Sequence, residues 1–185
     1  MTPGGDPLAF VVGERVYLRV PRPEDVNDTY LSWLNDPETL RYSARKAFPT
    51  GIEEARAYPE AARRAGDLHL AICVTDTAQH VGNISLQRIQ WPHGSAVLSI
   101  LIGTAATRGK GYGKDAIALA TRHAFASMGL RRLSAESPHP AFNAAMRSLG
   151  WTHEGTRRQA LLVDGAYADL ECWGILKDEF LNRSR

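Results

Sequence analysis

Residues 108–114 read RGKGYGK, three glycines and three basic side chains in seven positions. Glycine lets a backbone amide approach an anion with no Cβ in the way, and Arg108, Lys110 and Lys114 place positive charge around it. An apolar run, SAVLSILIG (95–103), precedes the stretch and an amphipathic run follows it. The turn therefore joins a strand to the start of a helix, where backbone N–H groups lack partners, and the combination is an anion cradle suited to phosphate. The sequence holds no Gly-x-x-x-x-Gly-Lys-Ser/Thr here. The turn also follows the fourth expected strand rather than the first strand of a βαβ unit, so neither a nucleotide-hydrolysing loop nor a dinucleotide fingerprint fits.

Other chemistry-bearing residues are sparse. Cys73 and Cys172 are the only cysteines, and both lie in apolar, strand-like segments with no recognisable histidine partner. They read as buried free thiols in a reducing cytoplasm, neither a metal pair nor an activated nucleophile, and no metal is expected. His93, in WPHGS, reads as a surface loop residue. Asp164 and Gly165 are first of all turn chemistry. A formal charge of +2 with no long basic stretch argues against tracking of a nucleic-acid backbone, so any anion site is local. The first residues lack a basic region followed by an apolar core, and no apolar run approaches the ~20 residues that span a bilayer; neither membrane nor nucleic-acid partners are expected.

The elements that must position the cradle follow from periodicity. Residues 1–9 read as a flexible tail and 10–185 as one domain. ERVYLRVP (14–21) alternates as a strand. A helix begins at Pro23, Glu24 and Asp25, and a second spans 50–66, with Thr50 and Glu53 as a capping box and Pro59 disturbing it. Two strands, 68–76 and 80–91, form a hairpin, and 95–103 is the central strand. After the cradle come a helix with Ala116, Leu119, Ala120, His123, Ala124 and Phe125 on its buried stripe, a strand at 131–137, and a short helix closed by Gly150. A hairpin turned at Asp164–Gly165 ends the order.

With these motifs in place the chain resembles the GCN5-related N-acetyltransferases (GNAT), whose pyrophosphate loop has the form Arg/Gln-x-x-Gly-x-Gly/Ala. It is most similar to their RimJ/RimL branch, from VYLRVPRPEDVNDTYLSWLNDPE through HVGNISL and RGKGYGKDAIALATRHAF to LGWTHEGTRRQALLVDGAYADLECWGIL. The resemblance implies an α/β GNAT acyl-CoA N-acyltransferase fold, a mostly antiparallel sheet flanked by helices and splayed between its fourth and fifth strands. It implies acetyl-CoA as co-substrate, its pyrophosphate held by Arg108, Gly109, Lys110, Gly111, Tyr112, Gly113 and Lys114. The backbone of Leu101, Ile102 and Gly103 would bind the pantetheine arm and polarise the thioester carbonyl. Trp33, Tyr42 and Trp91 would line an acceptor cleft walled by the first helices, with Tyr167 a secondary contact. A homodimer is compatible with the resemblance.

The sequence departs from the family pattern after the fifth expected strand. Counting eleven residues back from Gly150 places His139 where the family carries an asparagine, while Asn143 lies only seven back. Either the helix is a turn shorter and Asn143 keeps the pantetheine-side role, or His139 replaces it. In the second register Phe142 and Met146 stand where relatives carry serine and a proton-donating tyrosine, and neither can donate. Glu136, following RRLSA, is the first candidate to take the amine's proton, and His139 is the other catalytic candidate. The function expected is direct acetyl transfer to a primary amine of a small molecule, such as an amino sugar or antibiotic, or of a peptide or protein N-terminus. The alternative is a non-catalytic acyl-CoA sensor.

Overall fold

The structure, a computed structural model, describes residues 6–183. Helices α1 (Asp28–Trp33), α2 (Ile52–Arg64), α3 (Tyr112–Ala126), α4 (Pro140–Ser148) and α5 (Lys177–Arg183) surround one sheet. Its strands are β1 (Val11–Val12), β2 (Val16–Arg19), β3 (Leu68–Val74), β4 (His80–Gln90), β5 (Ser95–Ile102), β6 (Arg132–Ser137), β7 (Thr152–Val163) and β8 (Ala166–Leu176). Their spatial order is β1-β2-β3-β4-β5-β6-β8-β7. Every neighbouring pair is antiparallel except β5 and β6, which run parallel.

Period-two alternation gives the sheet two unlike faces. Val16, Leu18, Leu70, Ile72, Ile84, Leu86 and Leu98 join Ala116, Ile117, Leu119, Ala120, Ala124 and Phe125 of α3 in the main core. His123, expected on that stripe, is only half-buried, its ring against Phe10. The opposite face carries Tyr17, Arg19, His69, Ala71, Asn83, Ser85 and Leu101, all linked by cross-strand register. It is covered by a second cluster that includes Tyr30, Trp33 and Leu34 around α1 and Ala55 of α2. Polar groups under this cover need partners. Arg19 binds Asp25 through two hydrogen bonds of 2.6 and 2.7 Å.

Several expectations are corrected. The tail expected over 1–9 is tied down from Asp6 onward, whose carboxylate binds Arg22 at 2.6 Å and the Tyr17 hydroxyl at 3.1 Å; residues 1–5 lie outside the described residues. Pro23–Asp25 is a separate 3-10 turn, because Asp25 is drawn to Arg19, and α1 starts later with the Asn27 side chain accepting from the Tyr30 amide. Thr50 does not cap α2. Asn35 bonds both its N–H and its C=O at 2.9 Å, and the helix begins after Gly51 instead. Pro59 is accommodated inside α2. The Asp164–Gly165 turn forms with φ of 50° and 83°, while β1 and α5 were not expected. Both cysteines are free, Cys73 buried and Cys172 only half so. No described helix is long and apolar enough to cross a membrane.

Burial pushes the Asp25 carboxyl up, but bonds from Arg19 and the Arg22 amide, with His80 nearby, more than offset it and leave it below the usual range. Its contribution is therefore present at neutral pH and lost as pH falls below about 4. Asp25→Asn removes the carboxylate bonded to both Arg19 Nη atoms and leaves only Asp6, 3.5 Å from its Nε, as counter-charge; it should destabilise the fold by about 3 kcal/mol. Urea unfolding at pH 7 measures this directly.

Candidate functional site

The parallel pair β5 and β6 is joined only at Ser95–Arg132, Ala96–Leu133 and Val97–Ser134. Beyond Val97 the strands diverge, and a cleft of about 930 Å³ opens between them. Ser99, Leu101 and Ile102 of β5 form one wall, and Glu136, Ser137 and the start of α4 form the other. Asn83 and Ser85 lie on the floor, with Tyr42, Arg45 and Tyr58 from the α1–α2 region above.

The glycine-rich turn sits at one end of this cleft. Gly109 and Gly111 have φ of 74° and 83°, the left-handed region where a side chain is strained. Gly111 is the N-cap of α3 and offers no side chain to cap it. The amides of Tyr112, Gly113 and Lys114 thus have neither intrahelical acceptors nor a cap, the arrangement that receives an anion. Gly109, Tyr112, Gly113 and Lys114 line the cleft, whereas Lys110 and Gly111 complete the turn without lining it. Asp115 fixes the helix start by accepting the amides of Arg15 (2.8 Å) and Val16 (3.0 Å). Arg15, unnoticed in the sequence, also reaches the turn, its Nη1 donating to the Lys110 carbonyl.

Arg108 lines the cleft beside the turn and is also bonded within the protein. Its Nη2 donates to Thr39 Oγ1 (2.8 Å) and to the Gly103 carbonyl (3.0 Å), pinning the end of β5 to the segment after α1. Gly103 is packed against the Trp33 indole so closely that a Cβ would lie 2.3 Å from the ring. Trp33 is consequently core behind the cleft wall and does not line the cleft.

The two candidates after β6 stand on different sides of α4. His139 is its N-cap, Nδ1 accepting the Ala141 amide at 3.1 Å, with its ring 4.8 Å from that of Tyr42 in the cleft. With Nδ1 an acceptor, the neutral ring carries its proton on Nε2 and acts as a donor. Burial, then the charge of Arg108, lowers its pKa and favours that neutral form. Asn143 points the other way: it is buried and its Oδ1 accepts from Trp173 Nε1 at 2.9 Å. Met146 is likewise core, while Phe142 lines the cleft. Glu136 lines the cleft with one carboxylate oxygen held by Arg157 Nη1 at 2.9 Å. Trp91 and Tyr167, 60% and 69% exposed, lie outside the cleft because each sits at or beside a turn.

The cleft floor holds a cluster that sequence reading missed. His69 Nδ1 is 2.7 Å from Ser85 Oγ, and Nε2 is 3.5 Å from the Asn83 amide nitrogen. The Tyr58 ring meets His69 edge-on at 4.9 Å, with the Arg45 guanidinium 4.6 Å over Tyr58. Burial chiefly, with Arg45 and His80, lowers the His69 pKa to about 4, so the ring is neutral. The available signal was the alternation of Asn83, Ser85 and Gln87 with Ile84 and Leu86. That pattern ordinarily means a solvated face, and only the cover of α1 and α2 makes it an interior one. Glu38 and Asp67 also line the cleft. Among the described residues no His, Cys, Asp and Glu group is placed to hold a metal.

A cleft with an anion cradle at one end and proton-handling groups along its walls can hold a phosphate-bearing donor beside a second reactant. Comparison with known proteins gives the family and the fold. A family model described as an acetyltransferase (GNAT) domain matches residues 15–152. The SPbeta prophage-derived uncharacterized N-acetyltransferase YokL of Bacillus subtilis (strain 168) is 26% identical over 176 residues, covering 94% of this chain and 96% of its own. Spermidine N-acetyltransferase from Vibrio cholerae, solved with CoA and spermine, superposes with a TM-score of 0.82 at 18% identity over 92% of this chain and all of that one. Mycobacterium smegmatis RimJ, solved with CoA-disulfide, gives 0.74 at 18% identity, covering 92% of this chain and 90% of its own. At such identities the two structures establish a common fold.

The placement of Asn143 is testable. Asn143→Leu leaves the Trp173 indole N–H buried without an acceptor and should destabilise the protein by about 1–3 kcal/mol. Denaturant unfolding reads that loss, and calorimetry should find binding of a phosphate-bearing ligand at the turn unchanged.

Proposed function

This chain belongs to the GNAT acetyltransferases, and from that membership we propose that it moves the acetyl group of acetyl-CoA directly onto a primary amine, of a small molecule or a peptide N-terminus, with both substrates bound together. The observation that carries the reading is the uncapped start of α3 opening into the gap between β5 and β6. The Vibrio cholerae relative, solved with CoA and spermine, supports an amine as acceptor. The exposed final hairpin, with its Asp164–Gly165 turn, is the part of the chain on which a RimJ/RimL-like assignment rests.

Bound acetyl-CoA supplies the acetyl group as a thioester. The amides from Gly109 to Lys114 and the Lys114 ammonium would hold its pyrophosphate. Beyond Val97 the β6-facing edge of β5 has no strand partner, so the backbone groups of the Leu101–Ile102 stretch on that edge would bind the pantetheine arm, with Gly103, bonded to Val81 and Arg108, fixing the end of the strand. An amide there would polarise the thioester carbonyl, where negative charge develops. Arg108 keeps that edge in place through Gly103 and Thr39. Tyr42 and His139 shape the acceptor side. Glu136 takes a proton from the incoming ammonium, and His139 Nε2–H donates toward the departing sulfur. No covalent enzyme intermediate is needed, because holding two reactants together supplies much of the rate.

An assay of free thiol release with spermidine, glucosamine and a peptide bearing a free N-terminus tests the activity. Tight acetyl-CoA binding without turnover on any amine would make the protein a sensor instead. Gly111→Asp adds a side chain and a negative charge beside the pyrophosphate and should weaken acetyl-CoA binding at least tenfold, about 1.4 kcal/mol; unchanged affinity in calorimetry would sink the cradle assignment. Glu136→Gln should lower turnover on the order of a hundredfold with acetyl-CoA affinity intact, and wild-type rates across pH would remove Glu136 from the reaction.

A further inference from the structure

The sheet register aligns His69 of β3, Ser85 of β4 and Ser99 of β5 in one row across the cleft floor, and pairs Asn83 with Leu101 in the next. Directly paired residues project to the same face about 5 Å apart, so this row adjoins the stretch of β5 assigned above to the thioester. Ser85 and Asn83 are more than nine-tenths buried and line the cleft. Asn83 Oδ1 is buried and, among the described residues, has no hydrogen-bond partner. A buried amide oxygen without a donor is costly, and the same amide's nitrogen lies 3.5 Å from His69 Nε2, so turning the amide over would give that oxygen a ring N–H to accept. The arrangement is a hydroxyl on one side of an imidazole and a side-chain amide on the other, at the bottom of a reactant-sized cleft.

We propose that Ser85, His69 and Asn83 form a proton-accepting relay for the acceptor amine. It rests on the acetyltransferase reading and adds the path of the amine's last proton. As the amine nitrogen bonds to the acetyl carbon, the carbon–sulfur bond breaks and the sulfur leaves with its electron pair. The nitrogen passes a proton to Ser85 Oγ, and the Ser85 hydroxyl proton moves to His69 Nδ1. His69 is then cationic, donating from Nδ1 to Ser85 and, with the Asn83 amide turned over, from Nε2 to Asn83 Oδ1, and it later returns its proton to water as product leaves. Tyr58 from α2 packs on the ring with Arg45 above it and His80 on β4 nearby, and in the resting protein burial, then the charge of Arg45, keeps the ring neutral. Negative charge developing in the cleft during transfer favours its protonation at that moment.

The test uses whichever panel amine the wild type turns over. His69→Gln keeps hydrogen-bonding groups yet cannot carry a proton, and Ser85→Ala cuts the relay. Each should lower kcat about a hundredfold without changing acetyl-CoA affinity in calorimetry, and imidazole should partly restore His69→Ala. Nitrogen-15 histidine spectra of the unliganded protein give a readout independent of turnover: His69 Nδ1 should be unprotonated, with its resonance shifted in Ser85→Ala. Variants that turn over at wild-type rates and lose only thermal stability overturn the relay, as does a protonated Nδ1 in the unliganded wild type. A wild type that releases thiol with no amine overturns the transferase reading, and the relay with it.

Discussion

Everything at the site depends on where the pairing of β5 and β6 stops. Two parallel strands held at three successive positions form a hinge at one end and a gap at the other. Backbone groups exposed by such a separation are strong donors and acceptors without neighbours, and the cleft is the space in which a second molecule can satisfy them. The antiparallel pairing of β4 with β5, maintained from Gly82–Ile102 through Gln87–Val97, keeps the free edge of β5 straight. On the other side β8 holds β6 in register over six residue pairs. The gap is thus a feature of two rigid walls.

The ends of that gap are fastened by side chains. Arg108 ties Gly103 to Thr39, and Asp115 ties α3 to the start of β2. The α1–α2 connection is also bound to the tip of the last hairpin, with Arg41 bonded to Asp164 and Lys46 Nζ donating to the Leu162 carbonyl. These exposed contacts are individually weak, but they join the roof of the cleft to the hairpin beyond β6. Beneath the same roof the polar face of β2, β3 and β4 is satisfied in two places, by Arg19 and Asp25 on one side and by His69 and Ser85 on the other. The first pair is joined by two hydrogen bonds and holds the layer together, while beside the second the Asn83 amide oxygen has no hydrogen-bond partner among the described residues.

The order of the main strands and helices was legible in the sequence because each is amphipathic with its own period, and the glycine turn was legible because few residues tolerate a positive φ beside an anion site. Local rules failed where a distant partner competed. Thr50 looked like a cap until Asn35 bonded its backbone, and Asp25 looked like a first-turn acid until Arg19 drew it in. Trp33 was expected in the cleft and stands one layer behind it, because Gly103 allows the indole to close against the strand.

By itself the sequence determined the α/β class, the main elements and the glycine-rich turn at the start of α3, since propensity, period and backbone freedom act over a few residues. It left His139 and Asn143 as rivals, because both follow the same strand and a residue count cannot tell which face of α4 meets the core. The tertiary structure decided between them: Trp173, arriving from β8, offers an indole N–H to Asn143 and leaves His139 at the cleft. It also brought together His69, Ser85 and Asn83, which are far apart in the chain and adjacent only through strand register. Side-chain chemistry is written locally, but which groups share a volume is set by packing between segments that the chain order does not place side by side.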